Sequence, residues 1–199
     1  MSVAPIRFRT ILIASVYSGL LGGSQALGAD YYLYPTSIPN VADWNNESFA
    51  LGSPGCGGPC PCDDGDYTTN ASGTGFVTAV DFESFTLPPG QVILAVYVNA
   101  LVRFDNATTG EVRLRLELPS QGVVANRDSG SFTNSTSCTY VFTPVEGDVT
   151  AVVPRWTQQL VNDIRLGVRR LSANPATSTL RCKALRIRVV TGPDSDVDG

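Results

Sequence analysis

Apolar and polar residues alternate in three segments of the chain. In residues 111–118 (EVRLRLEL), valine or leucine fills every second position, and a charged residue fills each position between them. Residues 164–171 (IRLGVRRL) and 184–190 (ALRIRVV) show the same alternation. A period of two predicts strands with one buried and one solvated face, which is the usual condition of antiparallel sheets.

Further segments complete the predicted fold. Residues 91–104 (QVILAVYVNALVRF) are more continuously apolar and predict a central strand, long enough to contain a bulge. Other strands are predicted near Tyr31, at residues 78–87, near Val123 and at residues 138–144, with turn residues between them. Residues 154–163 (PRWTQQLVND) predict a short helix, with Trp156 and Leu160 facing the core. About eight strands and one helix predict an all-β fold, an antiparallel β-sandwich of jelly-roll type.

The N-terminus has the plan of a secretory signal peptide. Arg7 and Arg9 precede a short apolar run, and small residues follow up to residue 28. We therefore expect a secreted or cell-surface protein, with a signal peptide at residues 1–28, a sandwich domain at 29–190 and an acidic tail at 191–199. An uncleaved anchor is the alternative, but the run is short for a membrane span, and no later segment approaches that length.

Charge and the missing histidines restrict the possible functions. The chain has 14 basic and 18 acidic residues, and nucleic-acid binding would require a basic surplus. The absence of histidine excludes Ser-His-Asp and Cys-His catalysis and the common catalytic zinc sites. An enzyme would have to use carboxylates, tyrosines, Lys183 or calcium. Asp81 and Glu83, two residues apart on a predicted strand, are the candidate pair for a glycosidase, although such pairs are also common on strand surfaces.

Five cysteines are expected to form disulfides in an exported protein. Three of them lie close together in GCGGPCPC, and the other two lie on predicted strands: Cys56, Cys60, Cys62, Cys138 and Cys182. A structural zinc site is less favoured, because histidine is absent and export disfavours zinc thiolates. The preferred pairs are Cys56 with Cys60 or Cys62, and Cys138 with Cys182, which leaves one thiol over.

Two acidic segments are candidate calcium sites. The first is DDGDY, with Asp63, Asp64 and Asp66, and its alternative reading is a turn capped by aspartate side chains. The second is the tail DSDVDG, which matches the first half of a calcium loop and carries Asp194, Asp196 and Asp198. Without the second half of that loop, a solvated acidic tail is the better interpretation.

Arginines provide the candidate binding surface. Alternation places six of them on the solvent side of their strands: Arg113, Arg115, Arg165, Arg169, Arg186 and Arg188. If these strands are neighbours, the six form one polar face with Glu111 and Glu117, suited to acidic glycans or to another subunit. The alternative is a solvated face with cross-strand ion pairs. Aromatic residues that could stack on sugar rings, or lie in the core instead, are Tyr31, Tyr32, Tyr34, Trp44 and Tyr67.

The order of these segments resembles a known kind of domain. An acidic turn (DDGDY) precedes FTLPPGQVILAVYVNALVRF and the strand EVRLRLEL, and WTQQLVNDIRLGV and LRIRVV follow. This order resembles a jelly-roll β-sandwich domain of secreted bacterial and phage tail-associated proteins, similar in plan to carbohydrate-binding modules and galactose-binding-like domains. The resemblance covers about residues 63–190 and implies a binding role, with calcium as a structural cofactor.

These observations together favour a non-catalytic function. We expect a secreted domain that binds carbohydrate or another surface polymer, with no nucleic-acid partner. The alternative is a structural or adhesive surface protein that assembles with itself, which an odd thiol and a polar face would allow. A carboxylate-based glycoside hydrolase is a third possibility.

Overall fold

Strands account for most of the chain that the computed structural model describes, namely residues 28–37, 68–70, 75–79, 81–105, 107, 109–133, 139–141, 147–174 and 176–194. Three predicted features lie outside these residues: the signal peptide up to residue 27, the segment 55–67 with its cysteines and aspartates, and the tail after residue 194. Among the residues that are described, no helix is long and apolar enough to cross a membrane.

Twelve strands and one α-helix lie within these residues. In chain order they are β1 (Ala29–Leu33), β2 (Pro35–Ser37), β3 (Thr68–Asn70), β4 (Val77–Ala79), β5 (Asp81–Phe82), β6 (Gln91–Asp105), β7 (Thr109–Leu118), β8 (Val123–Asp128), β9 (Phe132–Thr133), β10 (Thr139–Val141), α1 (Gln158–Asn162), β11 (Arg165–Asn174) and β12 (Thr179–Pro193).

Two sheets form the sandwich. In the first sheet the strand order is β1-β12-β6-β10, and β3 also pairs with β12. In the second sheet the order is β4-β11-β7-β8, and β9 also pairs with β7. The pairings are antiparallel, which confirms the predicted all-β antiparallel sandwich. This order is compatible with a jelly roll, and the jelly-roll designation itself stays a prediction.

The longest pairing joins β6 and β12, which are adjacent in the middle of the first sheet. It extends from Thr179, opposite Asp105, to Pro193, opposite Gln91. The register shifts twice, once beside Leu94 of β6 and once within β12 after Cys182. The prediction of a long central strand with a bulge is therefore confirmed. β12 continues past residue 190, where the sequence predicted the end of the domain.

The core lies between the sheets and consists of alternate residues of their strands. On β7, Val112, Leu114, Leu116 and Leu118 are buried, while the charged residues between them are partly exposed. The corresponding core residues of β11 and β12 are Leu166, Val168, Leu185, Ile187 and Val189. The alternation predicted for these three strands is confirmed.

A close approach explains the glycine near the start of β7. A Cβ atom on Gly110 would lie 2.1 Å from Cε2 of Phe104. The Phe104 ring is fully buried and tilts against Phe132 of β9, so it has little room to move. Glycine is needed at this position because any side chain would overlap the ring.

The short helix α1 fastens the loop before β6 to one end of the sandwich. Asn162 accepts a hydrogen bond from the backbone N–H of Phe85 (2.8 Å) and donates one to the Phe85 carbonyl (3.0 Å). Gln158 accepts a hydrogen bond from the backbone N–H of Leu87 (2.9 Å). These side chains replace the strand partners that Phe85 and Leu87 would otherwise need.

Two predicted elements are shorter in the structure. The predicted strand at residues 78–87 consists of β4 and β5 followed by a loop, in which α1 side chains bind the backbone of Phe85 and Leu87. The predicted helix at 154–163 begins at Gln158, where the Thr157 hydroxyl accepts a hydrogen bond from the N–H of Leu160 (3.2 Å). Trp156 precedes the helix and is buried, as predicted, whereas Val161 is more deeply buried than Leu160.

Replacing Asn162 by alanine tests the attachment of this loop. The change removes both hydrogen bonds to Phe85 and leaves two part-buried backbone groups without partners. We expect the free energy of unfolding to fall by about 1–3 kcal/mol, measured from the midpoint of urea unfolding. Gln159→Ala, on an exposed position of the same helix, is the control and should change it by less than about 0.5 kcal/mol. Equal effects of the two substitutions would contradict the proposed attachment.

Candidate functional site

The six arginines predicted to share a face lie on two different sheets. The second sheet carries Arg113, Arg115, Arg165 and Arg169, and the first sheet carries Arg186 and Arg188. The sheets bury their inner faces against each other, so the two groups occupy opposite sides of the sandwich. The single polar face was therefore a wrong prediction. Alternation shows which side of a strand a residue occupies, but not the sheet to which the strand belongs.

On the outer side of the first sheet, five residues form what we call the tyrosine face: Asp30, Tyr32, Tyr97, Arg186 and Arg188. The register places Arg188 of β12 between Tyr32 of β1 and Tyr97 of β6. The Cζ atom of Arg188 lies 5.2 Å from the ring centre of Tyr97, and that of Arg186 lies 4.8 Å from the ring centre of Tyr32. Both contacts are within cation–π range.

A carboxylate fixes one of these arginines further. Arg188 donates from Nε and Nη2 to Oδ2 of Asp30, at 3.1 and 2.8 Å. Tyr32 remains 40% exposed, so the face has an accessible aromatic surface beside a fixed guanidinium. Tyr31, the neighbouring candidate, points the other way and packs edge-on against Phe85 in the core (5.3 Å between ring centres).

The accessible part of this outer side is limited to one end of β6. Towards the other end, Asn99, Leu101 and Arg103 are buried although they point away from the main core. Asp105 there forms ion pairs with both Arg103 (3.2 Å) and Arg181. Surface binding on the first sheet is therefore expected near Tyr97 and not near Asp105.

The outer side of the second sheet carries the arginine face, which we define as Phe76, Arg113, Arg115, Asp128 and Arg169. Arg113 of β7 lies directly opposite Arg169 of β11 on one side and Asp128 of β8 on the other. Asp128 accepts hydrogen bonds from Nε and Nη2 of Arg113, at 2.5 and 2.7 Å. The Cζ atoms of Arg115 and Arg169 lie 4.1 and 5.0 Å from the ring centre of Phe76.

Arg113 and Asp128 shift each other's pKa. The hydrogen bonds from Arg113 lower the pKa of Asp128, with a smaller opposing effect of desolvation. The hydrogen bond to Asp128 raises the pKa of Arg113 in turn. The carboxylate is 44% exposed, so solvent screens this pair and its contribution to stability is small.

The candidate catalytic carboxylates do not line either open cleft found among the described residues. One cleft, of about 240 Å³, lies beside Asp163, whose carboxylate accepts the N–H of Ser120 (2.8 Å). The other, of about 260 Å³, includes Arg155 and Asp194. Glu83 accepts a hydrogen bond from the backbone N–H of Tyr34 (3.2 Å), and Asp81 is exposed on β5. Neither carboxylate therefore belongs to one of these two clefts.

Most of the calcium candidates lie where the structure gives no description, namely Asp63, Asp64, Asp66, Asp196 and Asp198, as do Trp44 and Tyr67. Asp194 is described, and its backbone N–H donates to the carbonyl of Gly90 (3.1 Å). Among the described residues there is no group of three or more metal-binding side chains. Calcium binding stays a prediction.

Cys182 is a buried, free thiol in the structure. Its Sγ donates a weak hydrogen bond to the Ala184 carbonyl (3.8 Å). Burial raises the pKa of the thiol to about 12. The structure therefore does not bear out the predicted pairing of Cys182 with Cys138, which lies outside the described residues. Cys56, Cys60 and Cys62 also lie outside them, so the pairing of Cys56 with Cys60 or Cys62 stays a prediction.

Sequence reasoning missed Tyr97 and Phe76, although a signal for each was present. In residues 96–99 (VYVN), Val96 and Val98 are core residues, so alternation alone would have put Tyr97 outside. Phe76 immediately precedes β4, and its ring lies against Arg115 and Arg169 on the outer side of the second sheet. Tyr97 was overlooked because a continuous apolar run hides the alternation around it. Phe76 was overlooked because β4 is too short to show an alternation.

Comparisons of this chain with protein-family models, with curated proteins and with solved structures found no match. The function must therefore be inferred from the geometry of the two faces.

Burial and the raised pKa predict that Cys182 resists alkylation in the folded protein. At pH 8 a thiol with a pKa of about 12 is almost entirely protonated, and the thiolate is the reactive form. We expect mass spectrometry to show unmodified Cys182 after iodoacetamide treatment of the native chain, and full modification in urea without a reductant. Modification in urea only after reduction would contradict the free thiol and support the predicted disulfide.

Protonation of Asp128 should remove the contribution of the Arg113–Asp128 pair. The pKa of Asp128 is lower in the folded chain than its unfolded value of about 3.9, so the contribution is complete above pH of about 4 and is lost as pH falls through the folded pKa. The free energy of unfolding of the wild type should exceed that of Asp128→Asn by at most about 1 kcal/mol at pH 7, and this difference should shrink as the pH falls below about 4. Urea unfolding from pH 7 to pH 2 measures this, and a difference independent of pH would contradict it.

Proposed function

We propose that this chain is a secreted, non-catalytic binding domain whose tyrosine face binds carbohydrate on a surface polymer. The observation that carries the proposal is the row of Tyr32, Arg188 and Tyr97 across three hydrogen-bonded strands. Tyrosine rings stack on the apolar faces of sugar rings, while arginine and aspartate side chains hydrogen-bond to sugar hydroxyls.

The rigidity of this row supports a binding role. Each residue is on a strand and not on a loop, and the two guanidiniums are held by aromatic rings and, for Arg188, by Asp30. Side chains that are fixed before binding lose less conformational entropy when a ligand arrives. An open row across three strands also suits an extended polymer better than a small molecule, which normally needs an enclosed pocket.

Self-association has weaker support than carbohydrate binding. β8 lies at the end of its row of strands, and Val124 on it is 60% exposed. However, the same strand carries Arg127 and Asp128, and charged residues on edge strands oppose strand-to-strand association. The hydrolase alternative has less support still, because Glu83 is engaged with backbone and Asp81 lines neither open cleft.

Substitution of the two tyrosines tests the proposal. The protein would first be screened against immobilised neutral oligosaccharides (gluco-, galacto-, manno- and xylo-oligosaccharides), with and without calcium. For the best binder, Tyr97→Ala and Tyr32→Ala should each weaken the affinity about 3–10-fold, because one ring stacking contributes about 0.5–1.5 kcal/mol. Isothermal titration calorimetry measures this change.

Val124→Ala is the control for these substitutions. It removes an exposed apolar side chain from the opposite sheet and should leave the carbohydrate affinity unchanged. The proposal would be refuted by the absence of binding throughout the panel, or by binding that neither tyrosine substitution weakens while circular dichroism shows folded variants.

A further inference from the structure

The second sheet places like charges next to each other on its central strands. Arg113 and Arg169 are directly opposite in the register of β7 and β11, and Arg115 follows on the same side of β7. Directly opposed like charges destabilise a sheet. Three guanidiniums are thus gathered on the outer surface at a cost to the isolated domain.

Phe76 holds two of these guanidiniums together. Arg115 and Arg169 belong to different strands, yet both Cζ atoms lie within 5.0 Å of the centre of this one ring. Arg115 can reach the ring because Gly167, its direct neighbour on β11, has no side chain. Phe76 is itself only partly buried, so the cluster lies at the surface.

Nearby carboxylates compensate part of this charge. Asp128 pairs with Arg113, and Glu117 lies 2.8 Å from Nε of Arg115. Glu117 is also opposite Arg165, and Glu111 accepts a hydrogen bond from Ser172 (3.0 Å) at the far end of β7. Among the described residues of this outer side, four arginines accompany three carboxylates.

We propose that the arginine face is a second binding surface, specific for the carboxylate or sulfate groups of an anionic polysaccharide. Guanidinium groups bind both kinds of oxyanion through paired N–H donors, and each guanidinium has more donors than one carboxylate can accept. An oxyanion between Arg113, Arg115 and Arg169 relieves their repulsion. This surface is distinct from the tyrosine face and lies on the opposite side of the sandwich.

Two polyanions and one neutral polymer test the inference on the full chain. Polygalacturonate supplies carboxylates, dextran sulfate supplies sulfates, and dextran supplies neither. We expect at least one polyanion to bind at 50 mM salt, more weakly at 300 mM salt, and dextran not to bind at this surface. The polyanion that binds identifies the preferred group. Absence of binding to both polyanions at 50 mM salt overturns the inference.

Substitutions distinguish a specific binding site from a general effect of the protein's charge on polyanion binding. Arg115→Gln and Arg169→Gln should each weaken polyanion binding at least about fivefold, whereas Arg155→Gln, which removes the same charge from an exposed position outside the face, should change it less than about twofold. Phe76→Leu should also weaken binding, because the two guanidiniums lose the ring that holds them. Equal losses for Arg115→Gln and Arg155→Gln overturn the inference.

Substitution of Asp128 distinguishes a binding role of the arginine face from a purely structural role. Asp128→Asn removes the carboxylate that competes for Arg113, so polyanion binding should become about two- to fivefold tighter even though the folded state loses an ion pair. Weaker binding by this variant contradicts the inference.

Tyr97→Ala should leave polyanion binding unchanged, and Arg115→Gln should leave binding of a neutral oligosaccharide unchanged. The proposal for either binding surface can therefore fail independently of the other.

Discussion

The antiparallel pairing of β6 with β12 is the constraint on which the rest of the structure depends. Along both strands, one set of alternate side chains fills the core, so the other set must face outward. The register then decides which outward residues are neighbours, and it places Tyr97 beside Arg188. A slip by one residue would bring these polar side chains into the core. The force that forms the core therefore also positions the tyrosine face.

The outer side of the first sheet is buried along only one half of β6. From Asn99 to Arg103 the strand is buried on both sides, with Leu101 and Ala184 in a small second cluster outside the main core. Only its first half has an accessible outer side. The register shift at Leu94 marks this half, where that side chain is 54% exposed and lies against Gly192.

Local patterns in the sequence predicted the strands well, because alternation follows directly from burial of one face. β7, β11 and β12 have the expected inner residues, and the sandwich class follows from their number and spacing. The division of the arginines between two sheets could not be predicted, since it depends on long-range pairing that leaves no local trace. The loop at Phe85 and Leu87 was missed for the same reason: the backbone partners of these residues are the side chains of Asn162 and Gln158, more than seventy residues away along the chain. Tyr97 and Phe76 were predictable from alternation but were hidden by their apolar neighbours.

The buried core contributes far more to the stability of the sandwich than the side chains on its outer faces do. Burying one leucine contributes about 1.5–3 kcal/mol, whereas an outward cross-strand pair contributes or costs about 0.2–1 kcal/mol. The many buried side chains of the core therefore determine the register, and the outward positions have little influence on it. Arg113 and Arg169 can face each other because the core tolerates that small cost. Stability alone does not require this arrangement, because a neutral or acidic residue in place of one arginine would remove the repulsion. The fold therefore tolerates the opposed arginines beside Phe76 without requiring them, which is why a binding role is proposed for this surface.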